Sequence, residues 1–307
     1  MKLKLIYIWI LFAGLIITGI SCGSYLGPSS GYAPSFENLH VDEDLDYPES
    51  AFNQFINDTR ENKTHYVTVL RGGDDALLAR LHVIRSAQKS ILVQTFIWSA
   101  DESGRFMAYE LFRAAKRGVK IKILLDCFTL PRDPQLIAYL TMVHPNIEIK
   151  IYNPVSRNIV SSKLVLIKKA FLQFRNLNQR MHNKVLIVDD RIGIVGGRNY
   201  ENDYFDRGLK RNFTDCDVSV IGPIVRKMTD SFMQYWVYPL SILSRDMQDV
   251  KRLIEEGKYK KYSLGESFAF GDLFKEVEEC ESNQGCLQRR LVDTSYKVEK
   301  INFIVDK

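Results

Sequence analysis

The chain has 307 residues, 46% of them hydrophobic and 26% charged, which is enough apolar sequence to bury a core and excludes intrinsic disorder as the expectation. A net charge of +5 is too small to identify a polyanionic partner by itself. The basic residues are nevertheless concentrated, since no acidic residue occurs between Glu148 and Asp189 whereas eight lysines and arginines do. That segment is predicted to be either a solvated helix face or a surface that meets anionic lipid headgroups or other polyanions.

The first residues are typical of an export signal. Lys2 and Lys4 precede an uncharged apolar run of 16 residues, which is short of the ~20 needed to span a bilayer, so a signal peptide over 1–22 is favoured over a membrane anchor. Ser21 before Cys22 resembles a bacterial lipoprotein cleavage site. We therefore expect lipidation at Cys22 and a membrane-anchored location in the bacterial cell envelope, with an uncleaved anchor as the alternative.

Residues 23–63 are rich in Gly, Ser, Pro, Asn and acidic residues and are predicted to form a flexible tether. From residue 64 onward, apolar patterns typical of helices and strands alternate along the chain. The predicted strands are 91–98, 119–125, 147–152, 184–189, 192–195 and 217–221, and the predicted helices begin at Asp74 or cover 106–116, 134–143, 223–238 and 247–258. This alternation predicts an α/β fold with a mixed or parallel central sheet flanked by helices.

Two further patterns concern the middle and the end of the chain. Five apolar residues spaced 4, 3, 4 and 3 apart predict a helix whose stripe is more typical of a core than of membrane insertion: Val160, Leu164, Ile167, Phe171 and Phe174. The run 301–305 predicts a last strand.

The cysteines show no zinc-type C-x2-C spacing, so no structural metal is expected. In an exported domain, Cys280 and Cys286 would either close a small disulfide loop or remain as two buried thiols.

A cluster of polar residues follows the basic segment. His182, Lys184 and Asp189 form the pattern H-x-K-x4-D. After six intervening residues come Gly196, Gly197, Arg198 and Asn199. In an extended strand, side chains two residues apart point to the same face, so an imidazole and an ammonium are predicted to share one pocket.

That pairing suits chemistry at phosphorus. A neutral imidazole at His182 can attack a phosphate ester, and Lys184 can neutralise the charge that builds on the phosphoryl oxygens. Asn199 can donate a further hydrogen bond, and Gly196 and Gly197 let the backbone come close to a phosphate.

These motifs resemble the phospholipase D superfamily, and the segments between residues 70 and 240 resemble the first half of cardiolipin synthases of the C type, among them 114–119, 144–148, 177–184 and 196–199. The resemblance implies a half-domain fold, a phosphohistidine at His182 and a phosphoryl group held by Lys184 and Asn199, with no cofactor. Asp189 belongs to the motif and to the predicted catalytic set, although its place at a strand end suits a structural hydrogen bond. The residue that orients His182 is left open among Asp203, Asp215 and Asp217. Cys127 departs from the family, which often has an acidic residue there.

The sequence contains one such motif, whereas the enzymes that it resembles carry two. We therefore expect a catalytic half-domain over 64–240, followed over 241–307 by a linker and the start of an absent second half, with a homodimer or a companion half-domain supplying a second histidine.

The leading functional prediction is phosphatidyl transfer or phosphodiester cleavage on glycerophospholipids at a membrane. The alternatives are a single-motif nuclease acting as a homodimer and a truncated, non-catalytic lipid-binding remnant. A nucleic-acid partner is disfavoured by the long tether and by the extra helices before His182.

Overall fold

A computed structural model describes residues 50–161, 179–262 and 272–305. The predictions for the signal segment, for Cys22, for most of the tether and for the apolar stripe over 164–174 lie outside these residues and stay predictions. Within the described ranges, no helix combines the length and the hydropathy that crossing a membrane requires.

Within these described ranges, nine strands form one mixed sheet in the order β8-β4-β3-β2-β5-β6-β7-β1-β9. The strands are β1 His65–Leu70, β2 Ser90–Thr95, β3 Lys120–Asp126, β4 Ile147–Tyr152, β5 Lys184–Val188, β6 Ile192–Gly196, β7 Asp217–Ile221, β8 Ser241–Leu243 and β9 Ser295–Val298. The helices are α1 Asn53–Asn62, α2 Gly73–Arg85, α3 Glu102–Lys116, α4 Pro134–Met142, α5 Ile224–Val237, α6 Gln248–Glu255, α7 Asp272–Glu281 and α8 Gln284–Leu287, which a π-helical turn over Gln288–Val292 continues.

The direction of β5 sets where its polar residues lie. Strands β2, β3 and β4 run parallel to one another, whereas β5 runs antiparallel to β2. Gln94, the penultimate residue of β2, pairs with Val185 at the start of β5. The beginning of β5 therefore lies at the carboxyl edge of the parallel strands, and Val188 lies at the opposite edge.

Alternating residues of the strands enter two cores. Val93 of β2 and Leu186 of β5 are buried on the face covered by α2, α3 and α7. Their neighbours Leu92 and Val185 are buried on the other face with Trp236 of α5. Because both faces are covered, the central strands β2 and β5 are mostly apolar and their polar residues lie at the strand ends.

The mixed sheet flanked by helices confirms the predicted fold class. β4 and β7 have the predicted bounds, whereas β2 ends at Thr95, three residues earlier than predicted. The chain turns there because Ile97 donates its backbone N–H to the side chain of Asn199 instead of to a neighbouring strand.

The predicted end of the tether is wrong. Residues 53–62 form α1, and Phe52, Phe55 and Ile56 are buried in the core. The helix is only ten residues long and its exposed face is polar, so its apolar residues are too few to show a sustained period.

The prediction for residues 241–307 is also wrong in part. α7 packs on α2 and α3, with Glu281 bound to Arg85 at 2.8 Å and Phe274 stacked on Phe106. β9 pairs with β1 and completes the edge of the same sheet. Residues 301–305 form no strand, and β9 was missed because it is a polar edge strand whose Tyr296 is 66% exposed.

Of the two alternatives for Cys280 and Cys286, a disulfide or two buried thiols, the structure has the disulfide. It links the end of α7 to α8, with the Cα atoms 5.2 Å apart. The bridge holds α7 against the short helix that leads to β9. Cys216 is exposed and free.

Replacing Cys280 and Cys286 together by Ser should lower the free energy of unfolding by about 2 kcal/mol, because a short closed loop restricts the unfolded chain. Urea unfolding of the oxidised protein, of the reduced protein and of the double variant measures this. Reduction should lower the stability at least as much, because it also opens the disulfide of Cys127, whereas Cys216→Ser should leave the midpoint unchanged. Equal midpoints for the oxidised and reduced proteins would contradict the prediction.

Candidate functional site

A buried carboxylate holds the segment that leads into β5. Asp126, the last residue of β3, is fully buried and accepts a hydrogen bond from the backbone N–H of Met181 at 2.9 Å. Its other oxygen lies 3.2 Å from the guanidinium of Arg180. Burial raises the pKa of the Asp126 carboxyl, and the charge of Arg180 opposes that rise. Because the backbone at 181 is fixed, the next residue, His182, is presented at the carboxyl edge of the sheet.

The imidazole of His182 is exposed at this edge and has the aromatic ring of Phe96 beside it, edge to face, with the ring centroids 5.0 Å apart. Among the described residues, it has no hydrogen-bond partner. Partial burial, and then the positive charge of Lys184, lower its pKa, while the charge of Asp126 opposes the shift. The ring is therefore neutral at neutral pH and has a nitrogen lone pair available.

Lys184 is the cation of the site. Its side chain is buried, and Nζ donates a hydrogen bond to the backbone carbonyl of His182 at 2.6 Å and lies 5.6 Å from the ring centroid of Phe96. Burial lowers the pKa of Lys184 to about 8, and the negative charge of Asp215 opposes this shift. The predicted pairing of an imidazole with an ammonium is thus present in the fold.

Asn199 fixes the turn that carries Phe96. Its side-chain oxygen accepts hydrogen bonds from the backbone N–H of Ile97 at 2.9 Å and from the hydroxyl of Thr95 at 3.4 Å. The phenol of Tyr204 hydrogen-bonds to the same amide. A phosphate contact, which the amide N–H groups of Asn199 and not its oxygen would donate, stays a prediction.

Gly196, the last residue of β6, and Gly197, which follows it, lie against carboxylates. A Cβ on Gly196 would overlap the side chain of Asp217, and a Cβ on Gly197 would overlap that of Asp215. Within the described residues, these glycines therefore make room for acidic side chains of the same chain. A phosphate approach at Gly196 and Gly197 also stays a prediction.

The three carboxylates left open as orienters of His182 have different surroundings. Asp217 is buried and paired with Arg80 at 2.9 Å and with Arg198 at 3.6 Å. Asp203 is paired with the exposed Arg211 at 2.7 Å. Asp215 acts on Lys184 through its charge.

Instead, the carboxylate whose negative charge opposes the lowering of the His182 pKa is Asp126. From the sequence, no role was assigned to Asp126. Its position as the last residue of an apolar strand could have identified it, because the carboxyl ends of parallel strands meet at one edge of the sheet.

Asp189 lies far from this group. It follows β5 with a φ of 51°, and its carboxylate accepts hydrogen bonds from the backbone N–H groups of Gln88, Lys89 and Ser90 at 2.6 to 2.7 Å. Seven residues of extended chain from His182 place it roughly 20 Å away. Its inclusion in the catalytic set was therefore wrong, since it joins the loop before β2 to the end of β5.

In the ranges that the structure describes, no group of His, Cys, Asp and Glu residues could hold a metal ion. The site as described consists of an imidazole, an ammonium and the protein groups that position them.

The profile of the family described as "Cardiolipin synthase, PLD-like domain" matches residues 81–236. An uncharacterized protein of Helicobacter pylori (strain ATCC 700392 / 26695) is 40% identical over 200 residues, which are 65% of this chain and 39% of that protein. Cardiolipin synthase C of Escherichia coli (strain K12) is 39% identical over 162 residues, or 53% and 33% of the two chains. The aligned part of this chain thus spans about two fifths or less of these curated relatives.

Solved structures with a related arrangement include NucT from Helicobacter pylori, at 20% identity and a TM-score of 0.42, which covers 58% of this chain and 98% of that one. Phosphatidylserine synthase of Haemophilus influenzae Rd KW20 matches at 15% identity and a TM-score of 0.44, covering 67% and 50% of the two chains.

Asp189→Asn should lower the free energy of unfolding by about 2 to 3 kcal/mol, because an amide group cannot accept all three backbone hydrogen bonds. Asparagine tolerates the positive φ, so strain adds little. Activity per folded molecule should stay within about threefold of wild type, measured beside urea unfolding. Lys184→Met should show the reverse pattern, with activity lost and the free energy of unfolding largely retained. A hundredfold loss of activity in Asp189→Asn at unchanged stability would contradict the structural role.

Proposed function

Because the chain belongs to the family of cardiolipin synthase, PLD-like domains, we propose that it transfers or cleaves phosphodiesters of glycerophospholipids through a phosphohistidine at His182. The observation that carries this proposal is the buried Lys184 ammonium held beside a neutral His182 imidazole. A neutral nucleophile next to a fixed cation is what attack on an anionic phosphodiester requires, since a protonated ring has no lone pair to give.

In the first step, an imidazole nitrogen of His182 attacks phosphorus, a P–N bond forms, and the bond to one ester oxygen breaks. Lys184 neutralises the charge on the phosphoryl oxygens as it grows. The departing alkoxide takes up a proton and leaves as an alcohol. In the second step, a hydroxyl of another alcohol or of water attacks phosphorus, gives up its proton to a base and releases His182.

The proton donor for the leaving alcohol is the missing part. His65 begins β1, and His144 precedes β4, so both lie at the edge of the sheet opposite to His182. His82, near the end of α2, accepts a hydrogen bond from the backbone N–H of Ala51. Among the described histidines, none is placed to protonate a group that leaves from His182.

We therefore propose that a second histidine comes from another copy of this chain or from a companion half-domain. The predicted strand over 301–305 no longer favours the companion, since those residues form no strand.

His182→Ala should reduce turnover of phosphatidylglycerol by roughly 10³-fold or more, because the covalent route is lost. Acid-quenched wild-type protein should carry a phosphatidyl group on the peptide that contains His182, as detected by mass spectrometry. His144→Ala, at the opposite edge, is the matched control and should stay within about twofold. Cleavage of plasmid DNA without lipid turnover would instead support the nuclease alternative.

The leaving group separates the two histidine roles. A p-nitrophenyl phosphodiester loses a phenolate stable enough to depart without a proton, so the monomer should give a burst of about one p-nitrophenolate per chain. Lipid turnover, whose alkoxide needs a proton, should fall on dilution below the dimerisation range unless a companion chain is added. Light scattering beside both assays checks this, and constant lipid turnover in a strictly monomeric preparation would contradict it.

The pH profile of the burst should have two limbs. On the acid side, the rate rises as His182 loses its proton, at a pH below the ordinary histidine value of about 6.5, because its pKa is lowered. On the alkaline side, the rate falls as Lys184, with a pKa of about 8, loses its charge. Lys184→Arg should move the alkaline limb upward, because arginine stays charged. An unchanged alkaline limb in a folded Lys184→Arg protein would contradict this assignment.

A further inference from the structure

An apolar groove lies between α3, α4 and the sheet, with a volume of about 360 Å³. Residues of both helices and of β3 and β4 line it, including Ala108, Phe112, Leu140, Ile123, Leu125 and Ile149. Polar groups of Ser99, Arg105 and Tyr262 also line it, and these residues together with Leu130, all partly or fully exposed, form its rim. For comparison, an apolar protein cavity of about 150 Å³ stays dry and binds benzene. A groove more than twice that size and lined mostly by apolar residues is suited to a larger hydrocarbon.

The groove is long rather than round. Its floor extends along the sheet from Ile147 at the start of β4 to Leu125 near the end of β3. In the register of these strands, Ile147 is paired with Ile121, four residues before Leu125. At about 3.3 Å per residue, the floor is roughly 13 Å long. An unbranched alkyl chain matches this shape better than a ring system does.

One end of the groove meets the face of the sheet on which Lys184 lies. Leu125 pairs with Thr95, and continuing the pairing of Gln94 with Val185 by one residue sets Thr95 beside Lys184. Leu125, Thr95 and Lys184 thus form one row across three strands with side chains on the same face. At about 4.8 Å per strand, the row spans roughly 10 Å.

The rim of the groove is also tied to the ring beside His182. The hydroxyl of Thr129, next to the rim residue Leu130, donates a hydrogen bond to the backbone carbonyl of Phe96. Phe96 in turn contacts the imidazole of His182. The groove and the site therefore share one edge of the sheet.

We propose that this groove binds one acyl chain of the phospholipid substrate while its phosphate lies at Lys184, an inference that rests on the proposed function. The complementarity has two parts. The anionic phosphate meets the buried ammonium of Lys184, and the hydrocarbon meets the apolar floor. A glycerol backbone with its ester spans the row between them and passes the rim at Ser99 and Arg105. The groove would thus select substrates by the length of one alkyl chain.

The first test is binding without turnover. Dansyl-undecanoic acid, below its micelle concentration, should bind the wild-type full chain with enhanced fluorescence. Ala108→Trp, which places a ring in the groove, should weaken binding at least tenfold. Met142→Trp on α4 is the matched control, since Met142 is 51% exposed and does not line the groove, and it should bind as wild type does. Leu140→Asn, which makes the wall polar without filling it, is the second variant, and thermal unfolding confirms that each protein is folded.

The second test is kinetic, with p-nitrophenyl phosphodiesters that carry a methyl, hexyl or decyl group, all kept monomeric in solution. In the wild type, kcat/KM should rise with chain length by up to roughly fourfold per buried methylene. Ala108→Trp should abolish this rise, so that its kcat/KM values for the three esters become equal. Met142→Trp should keep the rise.

The two failures are distinguishable. If the wild-type protein cleaves all three esters equally well and does not bind the dansyl probe, the groove proposal is overturned and the phosphodiesterase function stands. If it cleaves none of them but binds the probe in a manner that Ala108→Trp removes, the proposed function fails and the groove remains an alkyl site. Binding that Ala108→Trp and Leu140→Asn leave unchanged would place the probe elsewhere and overturn the proposal.

Discussion

The antiparallel pairing of β5 with β2 is the constraint on which the site depends. Because β5 runs against its neighbour, its first residue lies where β2 and β3 end, and the chain that enters it passes the buried carboxylate of Asp126. If β5 ran parallel to β2, His182 and Lys184 would lie at the opposite edge of the sheet, beside the loop before β2. Strand direction thus decides that the imidazole and the ammonium meet the open carboxyl edge, where α/β proteins generally place their ligands.

Buried ionic groups then hold this edge in one geometry. Asp217, at the start of β7, binds the guanidinium of Arg80 from α2 and that of Arg198 from the turn after β6. Arg198 also donates to the backbone carbonyl of Leu70 at the end of β1. Removing one partner of such a group leaves a buried charge uncompensated, which is strongly destabilising. These buried charges therefore connect β7 at the carboxyl edge with α2, with the turn after β6 and with the end of β1. No sequence motif indicates them.

The sequence predicted what depends on local order along the chain. His182 and Lys184 were predicted to share one face because they are two residues apart in an extended segment. The strands β4 and β7 were found because apolar and polar residues alternate along them without a break. It failed where the partner is distant in sequence. Asp189 forms its hydrogen bonds a hundred residues away in the chain, with Lys89, and no local pattern distinguishes that role from a catalytic one. The polar edge strand β9 was missed for a related reason, since only pairing with β1 makes it a strand.

The lowered pKa of Lys184, about 8, has a consequence for the energetics of substrate binding. Near neutral pH, roughly a tenth of the molecules hold this side chain without its proton. An anionic phosphate that arrives beside it stabilises the charged form and raises its pKa. Binding of the proposed phosphodiester substrate would therefore draw protons from the medium, and the uptake would grow as the pH approaches 8. The binding enthalpy measured by calorimetry then varies with the ionisation enthalpy of the buffer, which makes the protonation of one buried amine visible as heat.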